Sequence, residues 1–275
     1  MARRAPDGSH QARVLPVFAV AVAVCCGILL LVPANLRATA DTYSLGRLAP
    51  RRSPAVSATS QAFGGVAPVG ALFTMSADGL GTHFCTASVV HSTHGDLAIT
   101  AAHCMTGIQG QVVFVPGYAN GKEPYGVWQV SAVYTDQAWQ SSQDPDDDIA
   151  FLRLSDGPAG APVEHVTGAE LLGAGLQAPA VVQVIGYPDV ADQPITCTNW
   201  ATSFSPTQLE FDCGSYTDGV SGGPFLADVS AGNGQGTVVG VIGGYEQGGD
   251  TPEVSYASAF GPATAALYQT AEAGG

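Results

Sequence analysis

Three short segments of this chain carry the residue types that acyl-transfer chemistry needs. Thr100-Ala101-Ala102-His103-Cys104 places an imidazole at the end of an apolar run. Asp146-Asp147-Asp148-Ile149-Ala150-Phe151-Leu152 places a carboxylate just before another, and Gly219-Val220-Ser221-Gly222-Gly223-Pro224 puts a serine in a glycine-rich turn. A serine hydroxyl is a weak nucleophile at its free pKa, so a neighbouring base must take its proton. An imidazole does this if a buried carboxylate holds its other nitrogen and stabilises the positive charge that follows. The tetrahedral oxyanion then needs fixed donors. The backbone N–H groups of Gly219 and Ser221 can converge only where the chain turns sharply, which suits glycine. His103, Asp148 and Ser221 are the candidate catalytic residues, with Gly219 and Ser221 as the candidate oxyanion hole.

Chain order separates the possible scaffolds. Gly219-Val220-Ser221-Gly222-Gly223 also fits the G-x-S-x-G elbow of α/β-hydrolases, but that fold needs its histidine after the serine. All six histidines (His10, His83, His91, His94, His103 and His165) precede Ser221, which excludes it. An Asp–His–Ser order would need Asp148 with His165, and neither has a fitting context. The order His103, Asp148, Ser221 remains. Asp148 is selected over Asp144, Asp146 and Asp147 because an apolar strand starts at Ile149. The other acids read as a solvated run, with calcium binding as the alternative, since carboxylate oxygens suit that ion.

The surrounding pattern is one of short strands. Apolar runs fall at 69–73, 87–90, 97–100, 111–115, 127–133, 149–154, 180–185, 208–211, 224–228, 237–242 and 254–260, with Gly, Pro, Asn or Asp in most gaps. Many short strands at this spacing imply an all-β sandwich or barrel. The Gly- and Ala-rich stretch 155–175 is the natural divide between two halves. Helical periodicity is confined to the end, at Pro262–Ala273.

Arg3, Arg4 and Arg13 precede an apolar run from Val14 to Val32, followed by Ala38-Thr39-Ala40, the order of a secretory signal peptide cleaved after residue 40. The run is also long enough to anchor the chain in a membrane if it is not cleaved. Residues 41–66 have the composition of a linker or pro-segment. Beyond residue 60 only Lys122 and Arg153 are basic, against all but two of the 23 acidic residues. So acidic a body excludes nucleic acid and anionic membrane surfaces as partners. Cys25 and Cys26 leave with the signal. Cys85, Cys104, Cys197 and Cys213 remain, an even number that reads as two disulfides in an exported chain. Three connectivities are open, and the sequence-local pairs Cys85–Cys104 and Cys197–Cys213 are favoured. No C-x-x-C spacing is present, so no metal site is expected.

Taken together and in order, T-A-A-H-C, D-I-A-F-L and G-V-S-G-G-P make residues 67–262 resemble the trypsin/chymotrypsin-like serine peptidase family, in its bacterial secreted form. The resemblance implies two antiparallel six-stranded β-barrels, about 67–155 and 172–262, with the active site in the cleft between them and a C-terminal tail at 263–275. It implies hydrolysis of peptide bonds in a protein or peptide substrate through an acyl-enzyme, without a cofactor, by a secreted monomer. Cys85–Cys104 matches the family's disulfide beside the histidine. The same machinery could serve an esterase, and a catalytically silent binding module of the same fold is the alternative from another class. Val220 stands where activated animal members carry an Asp that pairs with a new N-terminus, so activation of that kind is not expected. The specificity-pocket floor implied by the resemblance is Ser215, with Gly243 and Gly244 on the lining strand. A neutral floor of this kind does not support preference for Lys or Arg.

Overall fold

A computed structural model describes residues 58–157 and 160–274 of the 275-residue chain. The signal-peptide reading of residues 1–40, its apolar run 14–32 and the first part of the 41–66 segment lie outside the described residues. Among the described residues no helix is long and apolar enough to cross a membrane.

After a two-residue strand β1 (Gln61–Ala62), six strands follow: β2 (Val69–Ser76), β3 (Gly79–Val89), β4 (Leu97–Thr100), β5 (Gln111–Pro116), β6 (Trp128–Thr135) and β7 (Ala150–Leu154). They close into an antiparallel barrel in the order β2-β3-β4-β7-β6-β5, with β5 returning to pair β2. Closure leaves no open edge for a foreign strand to join. Short helices α1 (Gln137–Ser142) and α2 (Val163–Thr167) precede β8 (Leu171–Leu172).

The second half holds β9 (Ala180–Gly186), β10 (Ile195–Ser203), β11 (Gln208–Asp212), β12 (Pro224–Ala227), β13 (Thr237–Val241) and β14 (Val254–Ser258). Their order is β14-β11-β10-β9-β12-β13, and they pair antiparallel. This sheet curls into the second barrel of a chymotrypsin-like fold, but its closure is lighter than in the first. Among the described residues a single bridge, Ile242–Ala257, joins the end of β13 back to β14. The chain departs at Gly243 to build a loop of the cleft, so no longer ladder can form. β8 adds to β13 in parallel and β1 to β10, extending the sheet at both places.

Residues 58–63, part of the expected linker, belong to this body. Ser60 donates to Gly214 O at 3.1 Å, Gly214 to Ala58 O at 2.9 Å and Phe63 to Pro194 O at 3.1 Å. A two-residue strand is too short to carry a periodic signal.

Burial explains the sequence pattern. One apolar cluster holds Leu72, Ala87, Val89, Phe114, Trp128 and Leu152 of the first barrel, and a second holds Val184, Leu209, Phe211 and Phe225 of the other. A third draws on both, uniting Val69, Ala71, Val113 and Phe151 with Ile185, Leu226, Val241 and Phe260. Alternate residues of β2 and β5 thus face different cores, so these strands read as continuous apolar runs rather than alternating ones. Helix α3 (Pro262–Ala273) buries Leu267 and Ala271, and Arg153 of β7 donates to Asp96 Oδ2 at 2.6 Å and to the Ala271 carbonyl. The last helix therefore fastens to the first barrel although it follows the second. The crossing between barrels is held by Glu170. Its amide donates to Val89 O at 2.9 Å, its carbonyl accepts from His91 N at 2.8 Å, and its buried carboxyl accepts from Gly236 N. Cys85–Cys104 and Cys197–Cys213 are disulfide-bonded, the local pairs favoured above.

Candidate active site

β4 ends at Thr100, and His103 opens a 3-10 turn (His103–Met105) held beneath by the disulfide at Cys104. On the neighbouring strand, the turn Pro145–Asp147 leads into Asp148 just before β7. Asp144 caps this turn by accepting from Asp146 N at 3.1 Å. Asp148 is 1% exposed, while Asp144, Asp146 and Asp147 keep contact with solvent, so burial separates it from its neighbours. Asp147 has its carboxyl raised above the usual range by burial and by the charges of Asp136, Asp144 and Asp146.

Asp148 receives three donors. Oδ1 accepts from the His103 amide at 2.8 Å, and Oδ2 lies 2.7 Å from His103 Nδ1 and 2.9 Å from the Gly244 amide. An ionised carboxylate only accepts, so this network assigns the ring proton to Nδ1 and leaves the Nε2 lone pair free. A carboxylate this buried is tolerable because each oxygen is bonded.

Ser221 sits in a turn that only glycine can make. Gly219 has φ +91°, and a Cβ there would come within 2.5 Å of Asp189 N and 2.6 Å of Tyr187 O. Gly222 has φ +80°, where a Cβ would press on Thr100 and Thr86. The amides of Gly219 and Ser221 have no backbone partner among the described residues. Their directions are nevertheless fixed. In a trans peptide the N–H points opposite to the preceding carbonyl. Asp218 O is held by Asp189 N at 2.8 Å and Val220 O by Gly223 N at 2.9 Å, which turns both free N–H groups the other way. Val220 is buried and packs where a Cβ on Gly186 would lie, 2.7 Å away.

His103 and Ser221 line one cleft of about 470 Å³, bounded also by Tyr216–Asp218, Ile242, Glu246–Pro252 and Ser255. No hydrogen bond joins His103 Nε2 to the serine hydroxyl among the described residues; such contacts often tighten only when substrate is bound. The cleft's lining does not include Ser215, Gly243 or Gly244. Ser215 is exposed with φ +80°. Gly243 and Gly244 lie behind the carboxylate, where a Cβ on Gly243 would stand 2.9 Å from Asp148 Oδ2. The sequence reading thus misses the loop that does line the cleft. The acids of the cleft, Asp218, Glu246 and Asp250, are exposed, and among the described residues no Lys or Arg lines it with them. Cys85, His103 and Cys104 come close enough to hold a metal, but both sulfurs are spent in the disulfide.

The sequence matches the Trypsin family model over residues 58–260. Among solved structures the chain is similar to the protease Anisep from Arthrobacter nicotinovorans: 24% identity, TM-score 0.67, 78% of this chain and 100% of that one. It is similar to a thermostable serine protease, AL20, from an extremophilic microorganism: 26% identity, TM-score 0.65, 76% of this chain and 99% of that one. A Glu endopeptidase shares the fold at 13% identity with TM-score 0.61, over 78% of this chain and 97% of its own. No curated protein sequence matches the chain.

Proposed function

The chain belongs to the trypsin family of serine proteases, whose sequence model spans most of it, and from that premise we propose that it is a secreted serine endopeptidase with Ser221 as nucleophile, His103 as base and Asp148 as the orienting acid. The observation that carries this reading is the contact of buried Asp148 with His103 Nδ1 at 2.7 Å, on a cleft that His103 and Ser221 both line.

Ser221 Oγ attacks the scissile carbonyl carbon while His103 Nε2 takes its proton. The oxyanion settles against the amides of Gly219 and Ser221; losing one such donor costs roughly 10²–10³ in rate. Collapse breaks the C–N bond, and His103 returns the proton to the departing amine. Water then attacks the acyl-enzyme with His103 again as base, freeing the acid product and Ser221. Asp148 stays ionised throughout and stabilises the imidazolium.

The substrate is a protein or peptide. Three carboxylates on the cleft and no cation favour a basic side chain near the scissile bond. This departs from the neutral pocket expected around Ser215. Export through residues 1–40 accords with two disulfides, which persist in oxidising compartments.

The test is intact-mass spectrometry before and after a fluorophosphonate probe, with the adduct mapped by peptide. One adduct, on Ser221, is expected, and Ser221→Ala should abolish both labelling and proteolysis. A folded, fully processed protein that takes no label would instead be a silent binding module.

A further inference from the structure

We propose that Gln208 is a positioning residue for Asp148: an amide from the second barrel that clamps the carboxylate's turn to the segment supplying its third donor. This rests on the catalytic reading above.

Gln208 opens β11 and is buried, 4% exposed. Its Nε2 donates to Pro145 O at 3.1 Å and to Asp146 Oδ1 at 2.7 Å. Its Oε1 accepts from Tyr245 N at 3.2 Å. One side chain therefore grips the turn before Asp148, in the first barrel, and the residue after Gly244, in the second. Gly244 is the residue whose amide bonds Asp148 Oδ2. The grip is close: with φ +78° at Gly244, a Cβ there would fall 2.3 Å from Gln208 Oε1. Ser258, opposite Gln208 on β14, adds a second bond to Pro145 O at 2.7 Å.

The turn needs holding. Burial first, and then the like charges of Asp136, Asp144 and Asp146, raise the Asp147 carboxyl, so the acids of this turn repel one another. Among the described residues no cation pairs with any of them. The side-chain donors to the turn are Gln208 and Ser258. An apolar residue could fill the same buried volume. The amide is explained by its bonds, and those bonds join the turn that leads into Asp148 to the residue that follows its donor Gly244.

The experiment compares Gln208→Leu, which removes all three bonds, with Gln208→Glu, which keeps the shape and the acceptor for Tyr245 but turns an oxygen towards Asp146. In both, the far-downfield Nδ1 proton resonance of His103 should broaden or vanish, and fluorophosphonate labelling of Ser221 should slow by about ten- to a hundredfold, the scale of a small misplacement in a catalytic array. A sharp, unshifted resonance with unchanged labelling in folded variants overturns the proposal. So does failure of both variants to fold, which would make Gln208 structural. Absence of labelling in the parent protein counts against the catalytic reading alone, because the resonance still reports whether Gln208 sets the His103–Asp148 contact.

Discussion

Thr86, on the first barrel, donates its amide to the carbonyl of Ser221, on the second, at 2.7 Å. The proposed nucleophile is thereby tied across the barrel seam to the strand that carries Cys85. The tie is reinforced by the same residue's hydroxyl. Thr86 Oγ1 donates to Gly219 O at 3.0 Å and accepts from Tyr187 N at 2.9 Å, while Thr86 O accepts from Thr100 Oγ1 at 2.7 Å. β3, the turn of Ser221 and the end of β4 that leads to His103 are thus one hydrogen-bonded unit.

Thr86→Val should damage that unit without changing its shape. The substitution strands a buried carbonyl at Gly219 and a buried amide at Tyr187, each worth about 1–3 kcal/mol when left without a partner. Urea unfolding should show a loss of that order with an unchanged slope, and labelling of Ser221 should slow as the turn loosens. Stability equal to the parent would mean that water replaces the hydroxyl.

Asp148→Asn tests orientation rather than folding. The amide is isosteric, but its NH₂ group must face either the His103 amide or Nδ1, and the ring is driven towards the wrong tautomer. Under the proposed mechanism kcat falls by roughly 10⁴-fold. Thermal unfolding should report a folded protein throughout. A variant with near-parental turnover would remove Asp148 from the mechanism.

Glu170 predicts a pH dependence that has nothing to do with the cleft. Burial lifts its carboxyl from 4.5 to about 7, partly offset by the Gly236 amide. Between those values the folded protein binds a proton that the unfolded chain releases. Stability from this group is therefore full below about pH 4.5 and is lost as pH rises through about 7. The loss is on the order of 3 kcal/mol, at 1.36 kcal/mol per pKa unit. Glu170→Gln keeps an acceptor for Gly236 and should flatten that part of the urea-midpoint profile between pH 4.5 and 8. A profile equally steep in the variant would assign the dependence elsewhere.

What was legible in the sequence is what is local. Each of the three motifs is a run of five to seven residues in which a reactive side chain borders a strand or a glycine turn. The strands were visible because both faces of β2 and β5 are buried, which makes their apolar runs continuous. Gln208 and Thr86 were invisible for the opposite reason. Their partners lie 63 and 133 residues away for Pro145 and Gly219, and nothing in either residue's own neighbourhood marks it. The cleft loop escaped as well. Glu246 and Gln247 take φ +51° and +52°, a left-handed conformation that their side chains do not advertise. Counting back from the serine to Ser215, and taking Gly243 and Gly244 from the expected lining strand, both stop short of Glu246–Pro252, the segment that lines the cleft.

The charge of that lining bears on the proposed substrate. Asp218, Glu246 and Asp250 line the cleft beside Ser221. Exposed carboxylates attract a cation weakly one at a time, but clustered in a concave wall their fields add, and salt screens them. Ser255, 1% exposed, also lines the cleft, and its hydroxyl has no hydrogen-bond partner among the described residues, so the lining offers a neutral acceptor besides the charged ones. Matched peptides differing only in the residue that donates the scissile carbonyl should therefore be cleaved with kcat/KM at least about tenfold higher for Lys or Arg than for Glu at low ionic strength. The ratio should contract at 1 M salt, where the Debye length is about 3 Å. Glu246→Gln combined with Asp250→Asn should contract it at low salt too, while labelling of Ser221 by a neutral fluorophosphonate stays as in the parent. A preference that ignores both salt and the two substitutions would place specificity in the shape of the cleft, between Tyr216 and Pro252, rather than in its charge.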